Sequence, residues 1–237
     1  RINKILEHQE FIMGKEVEEL EKNLEEYTGA KNCISCANGT DALLMALMAL
    51  GIKHGDLVFT SPFTFIATAE VIALLGATPV FVDVMKDSFN LNPDALEESI
   101  LNLKRGVYPS DYPYKNLNPK AIIAVDIFGL TADYNKLNTI AKKHNLYLIE
   151  DAAQSFGATN NGNKACTFGD ISTTSFFPAK PLGCYGDGGA IFTADNELSS
   201  VLKSIRVHGK GEDKYDNIRI GLNGRLDTFQ AAILLAK

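Results

Sequence analysis

The sequence predicts an α/β protein whose mainly parallel sheet carries helices on both faces. Short runs rich in Val, Ile and Ala alternate with helical patterns along the 237 residues, which is the order expected of parallel strands joined by helices. The strand candidates are apolar along most of their length, as is typical of strands covered on both faces. No Gly/Ser-rich linker interrupts the alternation, so residues 1–237 are predicted to form one domain.

The first elements follow from apolar spacing and from the residues that flank it. A helix is predicted where apolar residues recur at helical spacing, at Val17, Leu20, Leu24 and Tyr27. Gly29 ends this helix, and a short strand at 33–36 follows. The next helix, at 42–50, is apolar nearly all round and is therefore expected to be buried, with Thr40 and Asp41 as its capping residues.

The later elements continue the same alternation. Strands are predicted at 57–60, 79–84, 121–127, 146–149 and 190–193. Helices are predicted at 67–75, 133–144 and 226–237. A further helix starts at Asn92, where Asn-Pro-Asp supplies a cap and a proline in the first turn. The segment 102–118 breaks the rhythm with its Pro and Tyr residues and predicts a long surface loop.

Composition and charge narrow the class of protein. The chain has 23 Lys and Arg against 29 Asp and Glu, and the net charge of −6 argues against a nucleic-acid-binding surface. The longest nearly unbroken apolar stretch, 42–52, is too short to span a bilayer, and residues 1–15 lack the apolar core of a signal peptide. We therefore expect a cytoplasmic enzyme with no nucleic-acid or membrane partner.

The cysteines and histidines predict neither disulfides nor a metal site. Four cysteines are too few for a disulfide framework. Cys33 and Cys36 match C-x-x-C, which leaves a thioredoxin-like redox site open beside the interpretation that they are small apolar residues on a buried strand. The four histidines show no metal-ligand spacing, so no metal is predicted.

A lysine and two carboxylates stand out as chemistry-bearing residues. Lys180 lies in an apolar and aromatic segment, 175–183, where burial would lower its pKa and free the neutral amine that forms a Schiff base. The alternative is a surface lysine on a loop. Glu150 and Asp151 follow a strand directly, at the sheet end where ligands of open α/β sheets bind. The alternative for this pair is two helix-capping acids.

A third candidate is the strand-to-helix turn at 38–41, with the sequence Asn-Gly-Thr-Asp. The glycine lets a ligand approach the backbone, and a helix N-terminus binds phosphate; an ordinary capped turn is the alternative. In this order, a phosphate site, an acid at a strand end and a downstream lysine suit pyridoxal phosphate. The lysine would hold the aldehyde as an imine, and the acid would keep the pyridine nitrogen protonated. A nicotinamide site lacks its fingerprint, because residues 183–189 are not G-x-G-x-x-G.

Several ordered motifs carry a resemblance to a known family. They occupy residues 35–43, 61–68, 150–154, 176–183, 186–189 and 221–227. On these motifs the chain resembles the DegT-type aminotransferases of nucleotide-sugar biosynthesis over essentially its whole length. The resemblance implies the aspartate aminotransferase-like fold, which is fold type I of the enzymes that use pyridoxal phosphate.

The resemblance implies roles around the cofactor ring. Lys180 would bind the cofactor as an imine and then move the proton between substrate carbon and cofactor. Asp151 would pair with the pyridine nitrogen, and Gln154 would contact the ring hydroxyl. Phe65 would stack on the pyridine ring.

It also implies how the phosphate and the substrate are held. Gly39, Thr40 and Ser175 would bind the phosphate of the cofactor. Asn223 would reach the phosphate in a neighbouring subunit, which makes a homodimer with shared active sites the expected unit. Arg225 would help to bind an acidic group of the substrate.

Within the family, the segments 33–38 and 176–185 are most similar to aminotransferases that act on UDP-2-acetamido-2-deoxy-ribo-hexuluronate. This likeness implies glutamate as amino donor and a role in bacterial surface polysaccharide synthesis, such as that of lipopolysaccharide O-antigen. Pro181 stands where many members carry Asn, and Asp126 where many carry His or Ser, a position that bears on substrate preference. The 102–118 segment is longer than usual in the family.

Two expectations concern the extent of the chain and the rival functions. Family members continue into a smaller C-terminal domain, so we expect such a domain beyond residue 237. A related sugar dehydratase that uses pyridoxamine phosphate is disfavoured, because those enzymes carry His in place of Lys180. A regulatory or non-catalytic cofactor-binding module of the same fold remains an alternative.

Overall fold

The computed structural model describes residues 1–107, 117–213 and 215–237. Its helices are α1 (Ile2–His8), α2 (Lys15–Thr28), α3 (Gly39–Ala49), α4 (Ala67–Leu74), α5 (Pro93–Lys104), α6 (Tyr134–His144), α7 (Asn196–Ile205) and α8 (Thr228–Leu234). Its strands are β1 (Asn32–Cys36), β2 (Asp56–Thr60), β3 (Thr78–Phe81), β4 (Asn118–Val125), β5 (Tyr147–Asp151), β6 (Thr159–Asn160), β7 (Asn163–Lys164), β8 (Ile171–Ser175) and β9 (Gly189–Thr193). The predicted 102–118 loop is too long, because residues 102–104 belong to α5 and Asn118 begins β4; residues 108–116 lie outside the described residues.

Seven of the described strands form one sheet, in the order β1-β9-β8-β5-β4-β2-β3. The strands β8, β5, β4, β2 and β3 pair in parallel, and β9 pairs antiparallel with both β8 and β1. Within this sheet β9 is therefore antiparallel to both its neighbours, and β1 has the same direction as the five parallel strands. The prediction of a mainly parallel sheet is confirmed.

Helices cover both faces of the sheet, as predicted. On the long central strand β4, Ile123 packs in the apolar cluster that contains residues of α3, α4 and α7. The adjacent Ile122 packs in the cluster formed with α5 and α6. Residues of α2 and α8 pack with Cys33 and Phe192 from β1 and β9. Since successive side chains of a strand point to opposite faces, both faces need apolar residues, and the strands have nearly continuous apolar runs.

The sequence did not predict β8, because its residues Ile-Ser-Thr-Thr-Ser are mostly polar. These residues are buried, and the hydroxyls of Ser172, Thr173 and Thr174 donate to neighbours in the sheet. Thr173 Oγ1 donates to the Glu150 carbonyl oxygen at 3.2 Å, and Thr174 Oγ1 donates to the Ala152 carbonyl oxygen at 3.0 Å. A hydroxyl that bonds to a backbone carbonyl removes most of the cost of burying it, so the strand needs no apolar run.

The capping of α3 differs from the prediction. The N-cap is Asn38, whose side-chain oxygen accepts the Asp41 N–H at 2.7 Å. Thr40 and Asp41 lie inside the first turn, so the expectation that they cap the helix is wrong. Asn is among the preferred N-cap residues, because its side chain accepts the N–H three residues on.

The C-x-x-C cysteines lie on opposite faces of the sheet. Cys33 packs with α2 and α8, whereas Cys36 packs with α3. Burial raises the pKa of both thiols, that of Cys33 well above its ordinary value. Because residues three apart on a strand point to opposite faces, these two cysteines cannot form a disulfide with each other. The interpretation as small apolar residues on a buried strand is the one that fits.

The topology gathers the predicted motifs at one edge of the sheet. The carboxyl ends of β1, β2, β3, β4, β5 and β8 meet there, and the antiparallel β9 starts there at Gly189. The segments that leave these strands therefore lie side by side. In the described part of the chain, no helix combines the length and the apolar character needed to cross a membrane.

Candidate active site

The turn at the start of α3 presents unpaired backbone donors. Asn38 binds the Asp41 N–H through its side chain and the Ala42 N–H through its carbonyl. Within the described residues, the N–H groups of Gly39 and Thr40 have no acceptor. Two free N–H groups at the positive end of a helix dipole are a ready site for a phosphate group.

Gly39 brings this turn into contact with Ser175 at the end of β8. A Cβ built on Gly39 would lie 2.7 Å from the Ser175 Cβ, closer than two such atoms approach in proteins. Ser175 is buried, and its Oγ accepts the Phe177 N–H at 3.2 Å. The structure thus brings together Gly39, Thr40 and Ser175, the three residues expected to bind the phosphate.

Replacing Gly39 by Ala is expected to destabilise the protein by about 1–3 kcal/mol, because the added methyl meets a side chain fixed on a central strand. Urea unfolding of the variant measures this loss. The double variant Gly39→Ala/Ser175→Gly, which removes the opposing Cβ, should recover part of it. A Gly39→Ala protein as stable as the wild type would contradict the close contact.

Asp151 is a buried carboxylate at the end of β5, with 6% of its surface exposed. Its Oδ2 accepts the Thr68 hydroxyl, and its Oδ1 accepts the Ala153 N–H, both at 3.2 Å. Burial raises the pKa of Asp151, while these hydrogen bonds and the charge of Lys180 act in the opposite direction. No residue in the described part of the chain forms an ion pair with Asp151. The carboxylate can therefore take a cationic partner from a ligand.

Glu150, the other candidate acid, faces away from this site. Its carboxylate accepts the N–H groups of Cys166 at 2.7 Å and Phe168 at 2.9 Å, and the Ser172 hydroxyl at 2.6 Å. Its hydrogen-bonding capacity is thus used inside the protein. Of the two carboxylates that the sequence left open, Asp151 is the one that can meet a ligand beside Lys180.

Lys180 lies in the turn that follows β8. Its backbone N–H donates to the Phe177 carbonyl at 2.8 Å, and its side chain is half-buried. In the same segment Phe176 is buried but Phe177 is exposed, so only one of the two aromatic residues lies in an apolar interior as the sequence predicted. The Lys180 ammonium forms no hydrogen bond or ion pair with the described residues, while its charge acts on Asp151. The amine is therefore free to react with a ligand.

Phe65 and Gln154, the other two residues expected to contact the cofactor ring, are exposed at the same edge of the sheet. Phe65, just before α4, has 69% of its surface exposed. Gln154 is exposed in the turn that follows Asp151. Neither side chain has a hydrogen-bond partner or stacked ring among the described residues that would hold it away from a ligand.

Asn223 and Arg225 contact each other. Arg225 Nη2 donates to the Asn223 Oδ1 at 2.5 Å. The intervening Gly224 accepts the Ala37 N–H through its carbonyl at 3.0 Å, which holds this segment beside the turn at the start of α3. The contact occupies the amide oxygen of Asn223 and leaves its NH₂ group as a donor.

Sequence reasoning missed two positioning contacts of this site. Thr68 lies in the quoted motif at 61–68, but nothing in that motif assigns its hydroxyl to Asp151. Asp126 was noted only as a position bearing on substrate preference. It is fully buried, and its carboxylate accepts three donors: the Ser155 hydroxyl at 2.7 Å, the Tyr134 hydroxyl at 3.0 Å and the Ala132 N–H at 2.9 Å. Its side chain therefore does not face a substrate.

Burial, and next the charge of Glu150, raise the pKa of Asp126 to about 8. Between its ordinary value of 3.8 and about 8, the folded protein holds a proton that the unfolded chain has released. The contribution of this group to the free energy of unfolding therefore falls as the pH rises through that window. In Asp126→Asn this contribution is absent, so we expect a flatter pH dependence of stability than in the wild type. Denaturant unfolding from pH 4.5 to 8.5 measures the free energy of unfolding of both proteins. Parallel plots of this free energy against pH would contradict the prediction.

The strand order and the site residues at the carboxyl edge of the sheet place this protein in a structural class. The class is that of the fold type I enzymes, which use pyridoxal phosphate. A family model described as the DegT/DnrJ/EryC1/StrS aminotransferase family matches residues 1–237, and the chain belongs to this family. Aminotransferases of this family depend on pyridoxal phosphate. The Lys180 amine and the N–H groups of Gly39 and Thr40, unpaired within the described residues, fit this cofactor, as does the Asp151 carboxylate, which has no ion pair there.

Over 236 residues the chain is 50% identical to the UDP-2-acetamido-2-deoxy-3-oxo-D-glucuronate aminotransferase of Pseudomonas aeruginosa, with 100% of this chain and 61% of that protein covered. It is 43% identical to a pleiotropic regulatory protein of Geobacillus stearothermophilus, with 100% and 59% covered. A DegT DnrJ EryC1 StrS aminotransferase from Brucella abortus, known from its crystal structure, matches with a TM-score of 0.93 and 54% identity, over 99% of this chain and 61% of that chain. The chain thus spans about three fifths of the length of these relatives.

Proposed function

We propose that this chain is the large, cofactor-binding domain of an aminotransferase that moves an amino group from glutamate to a keto group of a nucleotide-linked sugar. The observation that carries the proposal is the meeting of a free lysine amine, a buried carboxylate and unpaired helix N–H groups at one edge of the sheet. Pyridoxal phosphate supplies an electron sink when bound. The smaller C-terminal domain beyond residue 237 belongs to the same proposal.

The phosphate and the ring would be held by separate parts of this edge. The N–H groups of Gly39 and Thr40, with the Ser175 hydroxyl, would bind the phosphate. Asp151 would accept the hydrogen bond of the protonated pyridine nitrogen, which supplies the cationic partner that its carboxylate lacks in the described residues.

The remaining residues would orient the ring and handle protons. Phe65 would cover one ring face, and Gln154 would donate to the ring hydroxyl. Lys180 would attach the cofactor and, once released, take and return the proton at the substrate carbon as a general base and acid.

Asn223 is proposed to donate to the phosphate in a second subunit, which makes the active unit a homodimer. Its NH₂ group is the part left free by the Arg225 contact. Arg225 would bind an acidic group of the substrate through guanidinium donors not used by Asn223. The cytoplasmic location expected from the sequence stays a prediction.

The sugar substrate is proposed from the relative in Pseudomonas aeruginosa, whose name specifies a UDP-linked 3-oxo-glucuronate. A substrate of this kind, UDP-2-acetamido-2-deoxy-ribo-hexuluronate, carries the carboxylate that Arg225 would recognise. Its product would serve surface polysaccharide synthesis, as in O-antigen.

Borohydride reduction of the full-length protein with pyridoxal phosphate tests the cofactor assignment. The reduction fixes a lysine-linked cofactor permanently, and peptide mass spectrometry should find the added mass on Lys180. Release of 2-oxoglutarate from glutamate, with the keto sugar present, tests the reaction. A folded full-length protein without the Lys180 adduct would contradict the proposed function.

The similarity to a pleiotropic regulatory protein favours one alternative, a module that keeps the cofactor fold for a regulatory role. Such a module could bind the cofactor on Lys180 but would not catalyse amino transfer from glutamate. Cofactor attachment without 2-oxoglutarate release would support this alternative. The sugar dehydratase alternative would predict no transfer from glutamate and no need for a lysine at position 180.

A further inference from the structure

The turn that carries Asp151 and Gln154 is anchored by a residue outside it. This turn spans residues 151–155, and the Ser155 N–H donates to the Ala152 carbonyl at 3.1 Å. The Ser155 hydroxyl donates to the Oδ2 of Asp126 at 2.7 Å, and both groups are buried. A short hydrogen bond to a buried carboxyl group fixes the far end of the turn.

Two further contacts join the loop after β4 to the same turn. The Asp126 N–H donates to the Asp151 carbonyl at 3.1 Å. Gly129, whose N–H donates to the Asp126 carbonyl at 2.9 Å, lies so close to the turn that a Cβ there would be 3.0 Å from the Gln154 carbonyl oxygen. Asp126 thus contacts both ends of the turn, one through its backbone and the other through its side chain.

The other oxygen of Asp126 is anchored away from the site. Its Oδ1 accepts the Tyr134 hydroxyl at 3.0 Å and the Ala132 N–H at 2.9 Å. Tyr134 begins α6 and stacks on Phe168 with ring centroids 4.9 Å apart. The carboxyl group of Asp126 therefore bridges a packed helix on one side and the Asp151 turn on the other.

We propose that Asp126 is a positioning residue: through the Ser155 hydroxyl it holds the 151–155 turn in the geometry in which Asp151 and Gln154 meet the cofactor ring. The inference rests on the proposed function, because it needs a ring at this edge. It also accounts for a fully buried acid just after β4 whose carboxyl group is hydrogen-bonded to Ala132, Tyr134 and Ser155.

Two hydroxyl donors to the same carboxyl group provide a matched pair of variants. Ser155→Ala removes the donor on the Asp151 turn, and Tyr134→Phe removes the donor on α6. Each loses a single buried hydroxyl, and we expect similar losses of stability from the two. Only the first releases the turn.

The experiment measures the Kd for pyridoxal phosphate by absorbance titration of the full-length protein, together with Tm in the absence of cofactor. Ser155→Ala should weaken binding about five-fold or more, the size of one lost hydrogen bond, and Tyr134→Phe should stay within about two-fold of the wild type. In an Asp151→Asn background the effect of Ser155→Ala on Kd should shrink, because a positioning contact acts through the residue that it positions.

Equal changes of Kd in the two variants, or a lowered Tm of Ser155→Ala with unchanged Kd, would overturn the inference and leave the proposed function standing. A folded wild-type protein that binds no cofactor would overturn both. Asp126→Asn keeps a carbonyl oxygen that accepts from Tyr134 and gains an NH₂ group that can donate to the Ser155 Oγ. It should therefore bind the cofactor more tightly than Asp126→Ala, which loses both hydrogen bonds. The opposite order would also count against the inference.

Discussion

Lys180→Ala is expected to abolish turnover, lowering it by at least about 10³-fold, the size expected when a proton-transfer group is lost. The amine of Lys180 has no partner among the described residues and lies within electrostatic reach of Asp151. In the proposed mechanism this amine attaches the cofactor and moves the proton at the substrate carbon, and alanine supplies no group for either role. Glutamate-dependent 2-oxoglutarate release in the full-length protein measures the effect.

Lys203→Ala is the matched control for this prediction. Lys203 is exposed on α7 and forms no ion pair within the described part of the chain, and alanine is well tolerated in a helix. Its turnover should equal that of the wild type. The Lys180→Ala protein should still bind pyridoxal phosphate, more weakly, through the phosphate and ring contacts. Turnover retained in Lys180→Ala would remove this lysine from the proposed mechanism.

Asp151→Asn is expected to lower turnover roughly 10²- to 10³-fold, as when one preorganised electrostatic partner is removed. Asn is nearly the same size and keeps an acceptor for Thr68, but it lacks the charge that would stabilise a protonated pyridine nitrogen. The Kd for pyridoxal phosphate should rise as well. Steady-state kinetics and cofactor titration measure the two effects separately.

Glu150→Gln is the control for Asp151→Asn. Glu150 is the adjacent buried carboxylate, but its bonds run to Cys166, Phe168 and Ser172, away from the site. We expect this control to change stability and to leave kcat within a few-fold of the wild type. If both variants lost activity equally, the loss would reflect a disturbed β5 and not the charge of Asp151.

Asp151→Asn should lower turnover but should not lower the stability of the cofactor-free protein. The pKa of Asp151 is raised in the folded protein by burial, so the ionised carboxylate destabilises the cofactor-free fold at neutral pH and above. The neutral Asn removes this cost. We therefore expect the cofactor-free variant to be at least as stable as the wild type at pH 8, as judged by urea unfolding.

Much of the fold could be predicted from the sequence, because most helices and strands are specified by residues close together in the chain. Apolar spacing predicted α2, and Gly29, in the left-handed conformation, ends it as expected. The Asn-Pro-Asp sequence predicted the start of α5, where the Asn92 side chain caps the first turn. The polar β8 and the helices α1 and α7 were not predicted; β8 is recognisable only from the neighbours that accept its threonine hydroxyls.

The candidate site was predictable as a set of residues but not as an arrangement. The order of a glycine turn, a strand-end acid and a downstream lysine indicated the cofactor. The residue pattern alone left open which of Glu150 and Asp151 meets a ligand, and only the family resemblance implied Asp151; neighbours on a strand point to opposite faces. The pattern did not give the contacts of Thr68 and Ser155 either, because both partners lie far away along the chain.

The sequence by itself determined the α/β class, the alternation of elements and the residues proposed to carry the chemistry, because short-range patterns and motif order specify these. The tertiary structure alone decided that β9 runs antiparallel and that the carboxyl ends of the other six strands of the sheet meet at one edge. It also decided that Asp126 is a buried anchor for the Asp151 turn. Hydrogen bonds such as those of Asp126 join residues that are brought together only when the sheet has formed, so no local pattern in the chain can encode them.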